Sequence, residues 1–171
     1  MKKLIALISV LSLLFMLNAC EDSLTIGIDT NFKMNMNIDV TDGAKAKANT
    51  FPFSETQILN IEDDEEVANE IERMKDIDVT EIECEVTGIP SGQSIPSLKI
   101  YIEEVDLTVT LTDITEDYTL TLPVSDELLD TLGNYLYENH KTTVTVSGES
   151  TYAPMVLGVK LNFKSKIAAT I

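Results

Sequence analysis

The feature that most constrains this chain is a two-residue period held over long stretches. Leu24, Ile26, Ile28, Phe32, Met34, Met36, Ile38 and Val40 all fall on even positions, with Thr30 the one exception, and Lys33, Asn35, Asn37 and Asp39 alternate with them. At the other end Met155, Leu157, Val159, Leu161, Phe163, Ile167, Ala169 and Ile171 share odd parity, while Lys160, Asn162, Lys164 and Lys166 fill the partner face. Successive side chains of a strand point to opposite faces, so each run predicts a strand with one buried and one wetted side. The first is one long strand, or two meeting near Asp29-Thr30-Asn31. The last is expected to be long, with a break near Ser165. One-sided burial of this kind is the mark of an antiparallel sheet.

The intervening sequence adds shorter pieces. Thr41-Asp42-Gly43 reads as a turn, after which Ala44, Ala46 and Ala48 alternate with Lys45, Lys47 and Asn49 as a small-residue strand. Phe51-Pro52-Phe53 interrupts that pattern. From Ile61 to Lys75 the period changes: Val67, Ala68, Ile71 and Met74 lie at helical spacing, with Asp63 to Glu66 in the first turn and Arg73 and Lys75 in the last. The acids of Glu62 to Glu66 suit the helix dipole, and they lack the ligand spacing and glycine of an EF-hand loop. Strands resume over 77–87 and again at Leu98, Ile100 and Ile102. At Glu103-Glu104 the parity switches, which predicts a bulge or tight turn. Leu107 to Leu122 reads as a hairpin around Asp113 to Asp117. Ser125 is a good N-cap for a helix carrying Leu128, Leu129, Leu132, Tyr135 and Leu136 and ending near His140. Val144 and Val146 restart a strand that Ser147-Gly148-Glu149-Ser150 should turn. The whole predicts a mainly β chain: an antiparallel β-sandwich of about eight strands with two short crossover helices at its open ends. A closed β-barrel is the alternative architecture.

The first twenty residues form a separate unit. Met1-Lys2-Lys3 is a basic start, and Leu4 to Leu17 is apolar apart from Ser9 and Ser12. Fourteen helical residues rise about 21 Å, short of the roughly 30 Å hydrocarbon core, so the segment reads as a secretion signal. Its end, Leu17-Asn18-Ala19-Cys20, resembles the lipobox of bacterial lipoproteins. That resemblance implies cleavage before Cys20 and lipid attachment at its sulfur and amine. The expected organisation is a signal peptide over 1–19, a lipidated Cys20 with a tether over 20–23, and one β-sandwich domain over 24–171. Glu21-Asp22 resembles the surface-export signal of some Gram-negative lipoproteins. Asp22-Ser23-Leu24 resembles an O-glycosylation acceptor and marks Ser23 as a candidate. The same motif at Asp130-Thr131-Leu132 lies inside a predicted helix. The layout of Thr119 to Ile171 (strand, capped helix, Thr-rich strand, last strand) looks like that of small β-sandwich lipoproteins from Gram-negative gut and oral bacteria. It implies a fold and a compartment but no activity.

Charge narrows the partners. The chain carries 29 acids and 12 bases, a net of -17, and the bases fall to 10 once Lys2 and Lys3 leave with the signal. Such a surface repels nucleic acid and anionic lipid. The lipobox resemblance implies the outer membrane through a lipid anchor, and the resemblance of Glu21-Asp22 to an export signal favours the cell surface slightly over the periplasmic face.

The residues that carry chemistry are few. There is one His, His140 at a predicted helix end, and after Cys20 only Cys84, alternating with apolar neighbours as a buried hydrophobe would. Glu83 and Glu85 should raise its pKa. No nucleophile elbow, phosphate loop or zinc spacing appears. Asp113, Glu116 and Asp117 are candidate calcium ligands in one loop, though a solvated turn explains them as well. Tyr101 and Tyr152 are candidate ligand-contact aromatics, whereas Tyr118 and Tyr135 are expected on core faces. No catalytic residue, metal or cofactor is expected.

The function expected first is a non-enzymatic, lipid-anchored binding or interaction module with a protein or glycan partner. A second expectation is a minor or anchor subunit of a surface fibre, by analogy with lipid-processed pilins that exchange strands, and it is motivated by the long runs Leu24 to Val40 and Met155 to Ile171. A third is a carrier of a small hydrophobic ligand, held beside Met34, Met36, the alanine strand and the last strand.

Overall fold

A computed structural model describes residues 25–42 and 50–170. The expectations for 1–24, including Cys20 and Ser23, and for the alanine strand at 44–48 lie outside the described residues. Among the described residues there are eight strands: β1 (Thr25–Val40), β2 (Phe51–Asn60), β3 (Met74–Thr87), β4 (Ile95–Ile102), β5 (Leu107–Ile114), β6 (Tyr118–Thr121), β7 (Lys141–Ser150) and β8 (Met155–Thr170). They form two four-stranded antiparallel sheets, in the orders β1-β8-β3-β6 and β2-β7-β4-β5. Consecutive strands β1 and β2, β3 and β4, β5 and β6, and β7 and β8 lie in opposite sheets. This is the jelly-roll form of the β-sandwich, with both sheets open at their edges.

The long alternating runs behave as expected. β1 is one unbroken strand, paired with β8 from Thr25↔Thr170 to Val40↔Met155. Even positions of β1 from Thr30 to Val40 and odd positions of β8 from Leu157 to Ala169 are buried. Thr30 keeps the inward parity as a buried hydroxyl residue. The break expected near Ser165 falls on the partner instead. β3 slips register between Val79 and Glu81, and Thr80 Oγ1 donates to the Lys164 carbonyl at 3.1 Å. Between the sheets Phe32, Met36, Ile82, Cys84, Leu98, Ile100, Val146 and Phe163 form the centre of one core.

The segment 61–75 is not one helix. It is a 3-10 turn (Ile61–Asp63), a single α-turn, α1 (Glu65–Ala68), and a second 3-10 turn (Ile71–Arg73). Met74 enters the core as the first residue of β3, opposite Ala169, so strand pairing overrides the helical period at that end. Two of the short turns are capped locally: Asn60 Oδ1 accepts from the Glu62 N–H, and Asp64 Oδ1 accepts from the Val67 N–H. The helix after Ser125 forms as α2 (Asp126–Asn139) and closes on His140 in the left-handed conformation. Gly133 of α2 presses on β3, where a side chain would strike the Ile77 carbonyl.

Three further expectations are corrected. Leu107 to Leu122 is not a hairpin: β5 pairs with β4, whereas β6 crosses over 115–117 to pair with β3 and cover Cys84 with Leu120. β7 runs through Ser147 to Ser150 without turning, because Gly148 admits the Ser97 carbonyl and the Phe53 ring where a side chain would stand. Phe51 to Asn60 is a strand, with Pro52 tolerated on a sheet edge. The parity switch at Glu103-Glu104 is a 3-10 turn (Glu103–Val105) with Asp106 in the left-handed region at φ 49°.

Candidate functional site

The richest polar surface is the outer face of the β1-β8-β3-β6 sheet. β8, in the second position, presents Gly158, Lys160, Asn162, Lys164 and Lys166 outward. Its register sets each row: Asn37–Gly158–Thr87, Asn35–Lys160–Glu85, Lys33–Asn162–Glu83 and Asn31–Lys164, with Glu81 beyond. Cations of β8 therefore lie beside anions of β3, while β1 contributes mainly amides. Lys164 Nζ sits 2.7 Å from Glu83 Oε1 and 3.3 Å from Glu81 Oε1, and Lys160 Nζ is 3.3 Å from Glu85 Oε2. Asn162 Nδ2 donates to Glu83 Oε2 at 3.1 Å, and Thr121 Oγ1 donates to Glu81 Oε1 at 2.7 Å. The hydrogen bonds from Lys164 and Asn162 hold the Glu83 carboxyl below its ordinary value. The reciprocal bond to Glu83 holds the Lys164 ammonium above its own.

Two adjoining hollows cross this face. One, of about 90 Å³, is lined by Lys33, Glu83, Glu85, Thr119, Lys160 and Asn162. The other, of about 280 Å³, shares Glu85 and Lys160 and runs on over Gly158 to Asn35 and Asn37. This groove was not singled out from the sequence. The signal for it was present: Glu81, Glu83 and Glu85 alternate in one strand as Lys160, Lys164 and Lys166 do in another. Only the register shows that they meet.

The structure does not gather the residues picked out from the sequence into one site. Tyr101, half-buried on β4, lies opposite Thr108 and Thr145, with Lys99 Nζ 5.1 Å from its ring centroid. Partial desolvation, then the nearby Asp106 and Glu103, push its phenol up. Tyr152 is 40% exposed in the β7–β8 connection, where its N–H donates to Ser150 Oγ. The five residue steps from Thr145 to Ser150 span about 17 Å, so the two rings serve different ends of the sheet. Tyr118, expected on a core face, is 48% exposed, because short β6 leaves it at an open sheet edge. Tyr135 is partly buried.

Asp113 lies in β5, not in the loop with Glu116 and Asp117, and the three are not grouped as metal ligands. Asp113 ends up in the left-handed region, and Asp117 Oδ1 accepts from the Ile89 N–H at 3.3 Å, tying two loops together. Among the described residues no three His, Cys, Asp or Glu side chains are grouped to hold a metal ion. A hollow of about 270 Å³ opens beside Asp113, Glu116 and Tyr118. His140 Nδ1 lies 3.0 Å from Glu62 Oε1, and its carbonyl accepts from the Ile61 N–H, so it joins the end of α2 to the 61–63 turn. Cys84 is fully buried; burial first, and the charge of Glu85 second, push its thiol up to about 12. Met34 and Met36 are buried in the common core.

These features define a jelly-roll sandwich with a polar, groove-bearing outer face. No family model and no curated protein matches the sequence. Among solved structures the chain is similar to the decameric BFDV capsid protein, at 7% identity over 83% of this chain and 99% of that one, with a TM-score of 0.53. It also matches a chain of the giant freshwater prawn Macrobrachium rosenbergii nodavirus particle, at 8% identity, 89% and 98% coverage and a TM-score of 0.42. A Desmodium yellow mottle tymovirus chain matches at 5% identity, 82% and 88% coverage and a TM-score of 0.40. At such identities the likeness is one of fold.

Proposed function

We propose that this chain is a lipid-anchored outer-membrane lipoprotein whose jelly-roll domain works as a binding or interaction module, without catalysis. The observation that carries this reading is the N-terminal series: Lys2-Lys3, the apolar stretch to Leu17, and the lipobox-like Leu17-Asn18-Ala19-Cys20. Several acyl chains on one cysteine would hold a domain firmly where a single chain would not. Two structural facts support the non-catalytic half. His140 is committed to joining α2 to the 61–63 turn, and Cys84 is sealed in the core with a raised pKa, so neither is presented as a base or nucleophile. The excess of 29 acids over the 10 bases left after Lys2 and Lys3 are removed keeps such a domain clear of anionic lipid.

Metabolic labelling with an alkyne fatty acid tests the anchor. The wild-type chain should take up label and partition with membranes, and Cys20→Ser should lose both. An unlabelled wild-type chain would overturn the reading. Protease treatment of intact cells then decides the face of the membrane, with loss of the mature domain marking the cell surface.

A further inference from the structure

The geometry points to the groove on the outer face of the β1-β8-β3-β6 sheet as a binding site for a neutral polyhydroxylated ligand, a short oligosaccharide. The inference rests on the binding-module reading and names the ligand class. Three observations carry it. The first is charge. On a chain of net -17, the groove is lined by two cations, Lys33 and Lys160, and two anions, Glu83 and Glu85, so it is locally neutral. A strongly ionic ligand finds no excess of opposite charge there.

The second is hydrogen-bonding capacity. Lys160, Glu83 and Glu85 are fixed by pairing across the sheet, which sets donors and acceptors in place before a ligand arrives. Beside them the side chains of Lys33, Asn35 and Asn37 are exposed on β1 and bond to no other described residue. In register with Lys33, Asn162 Oδ1 is buried and has no hydrogen-bond partner among the described residues. Closely spaced donors and acceptors of both kinds match hydroxyl groups, each of which donates and accepts. The third is shape. From Gly158 to Asn162 the groove follows β8 for about 13 Å. At Gly158 the Thr87 hydroxyl takes the space a side chain would fill and adds a further donor and acceptor to the groove lining.

The test uses the mature domain on an array of neutral, sialylated and sulfated oligosaccharides. Asn35→Ala/Asn37→Ala alters only exposed side chains of β1 and should leave the fold intact. Asn162→Leu removes the central amide at similar volume. Binding to neutral oligosaccharides, weakened at least ten-fold by both variants while thermal melting of Asn35→Ala/Asn37→Ala is unchanged, is the expected result. ¹H–¹⁵N shifts on titrating the strongest neutral hit should map to β1, β3 and β8. Absence of any neutral hit, hits confined to the acidic glycans, or shifts confined to the loops around Tyr152 or Asp113 would each overturn the groove assignment. Loop shifts would still leave a binding module, and fatty-acid labelling of Cys20 tests the anchor separately.

Discussion

Glu104 gives the sharpest test of how the turn between β4 and β5 is held. Its Oε2 accepts from Thr142 Oγ1 at 2.7 Å, and its two oxygens accept from the Thr143 N–H at 3.0 and 2.9 Å. Thr142 is only 1% exposed, so Glu104→Ala strands a buried hydroxyl and a backbone N–H at the start of β7. Hydrogen bonds to a charged acceptor contribute about 1.5–3 kcal/mol. The Glu104 side chain is open to water, which screens part of this, and the expected loss is about 1–2 kcal/mol. Glu104→Gln keeps an acceptor of the same reach and should lose about half as much. Desolvation pushes the Glu104 carboxyl up, but the bonds from Thr142 and Thr143 outweigh it and hold the group below its ordinary 4.5. A depressed carboxyl contributes stability above its unfolded pKa and loses it as pH falls through the folded one. The gap between wild type and Glu104→Gln should therefore be full at pH 7 and shrink as pH drops below 4.5. Urea unfolding followed by circular dichroism, repeated at successive pH values, measures both effects. A Glu104→Ala loss below about 0.5 kcal/mol at pH 7, or a Gln gap that does not narrow in acid, would refute the reasoning.

Other outcomes follow from the packing. Gly133→Ala should destabilise by about 1–3 kcal/mol in urea melts although alanine is the better helix former, because the new methyl meets the Ile77 carbonyl and the Val79 nitrogen of β3. Gly148→Ala should cost as much or more, since the Ser97 carbonyl and Phe53 ring occupy that space. Phe163→Ala, at a fully buried site, should lose about 3–5 kcal/mol by the same assay. Cys84 should resist a thiol reagent at pH 8 in the folded chain and react at once in denaturant.

The sandwich was legible in the sequence where one face of a strand is uniformly apolar. β1 and β8 declare themselves because Phe32 to Val40 and Leu157 to Phe163 face a single core. β2 was hidden because Glu55 and Gln57 share the inward parity of Phe53 and Leu59, while Ile58 points outward at 64% exposure. The 61–75 segment misled because helical spacing of Val67, Ile71 and Met74 is satisfied equally by two short turns and a strand start. Sheet membership was not legible. Tyr118 to Thr121 carries nothing that says it pairs with β3 instead of β5, since that choice depends on covering Cys84 from a distance. For the same reason the outer groove escaped notice: Glu83 and Lys164 read as two unrelated surface charges until register sets them 2.7 Å apart.

The placement of β8 governs when this domain can come into being. It follows the other seven described strands in the sequence, yet it sits inside its sheet, bonded to β1 on one side and β3 on the other. Until it arrives, those two long strands have no common partner, and the oily stripe from Phe32 to Val40 lacks its neighbour. Closure joins Thr25 to Thr170, a distant pairing that forms slowly. The half-made chain therefore stays open and dependent on protection against self-association.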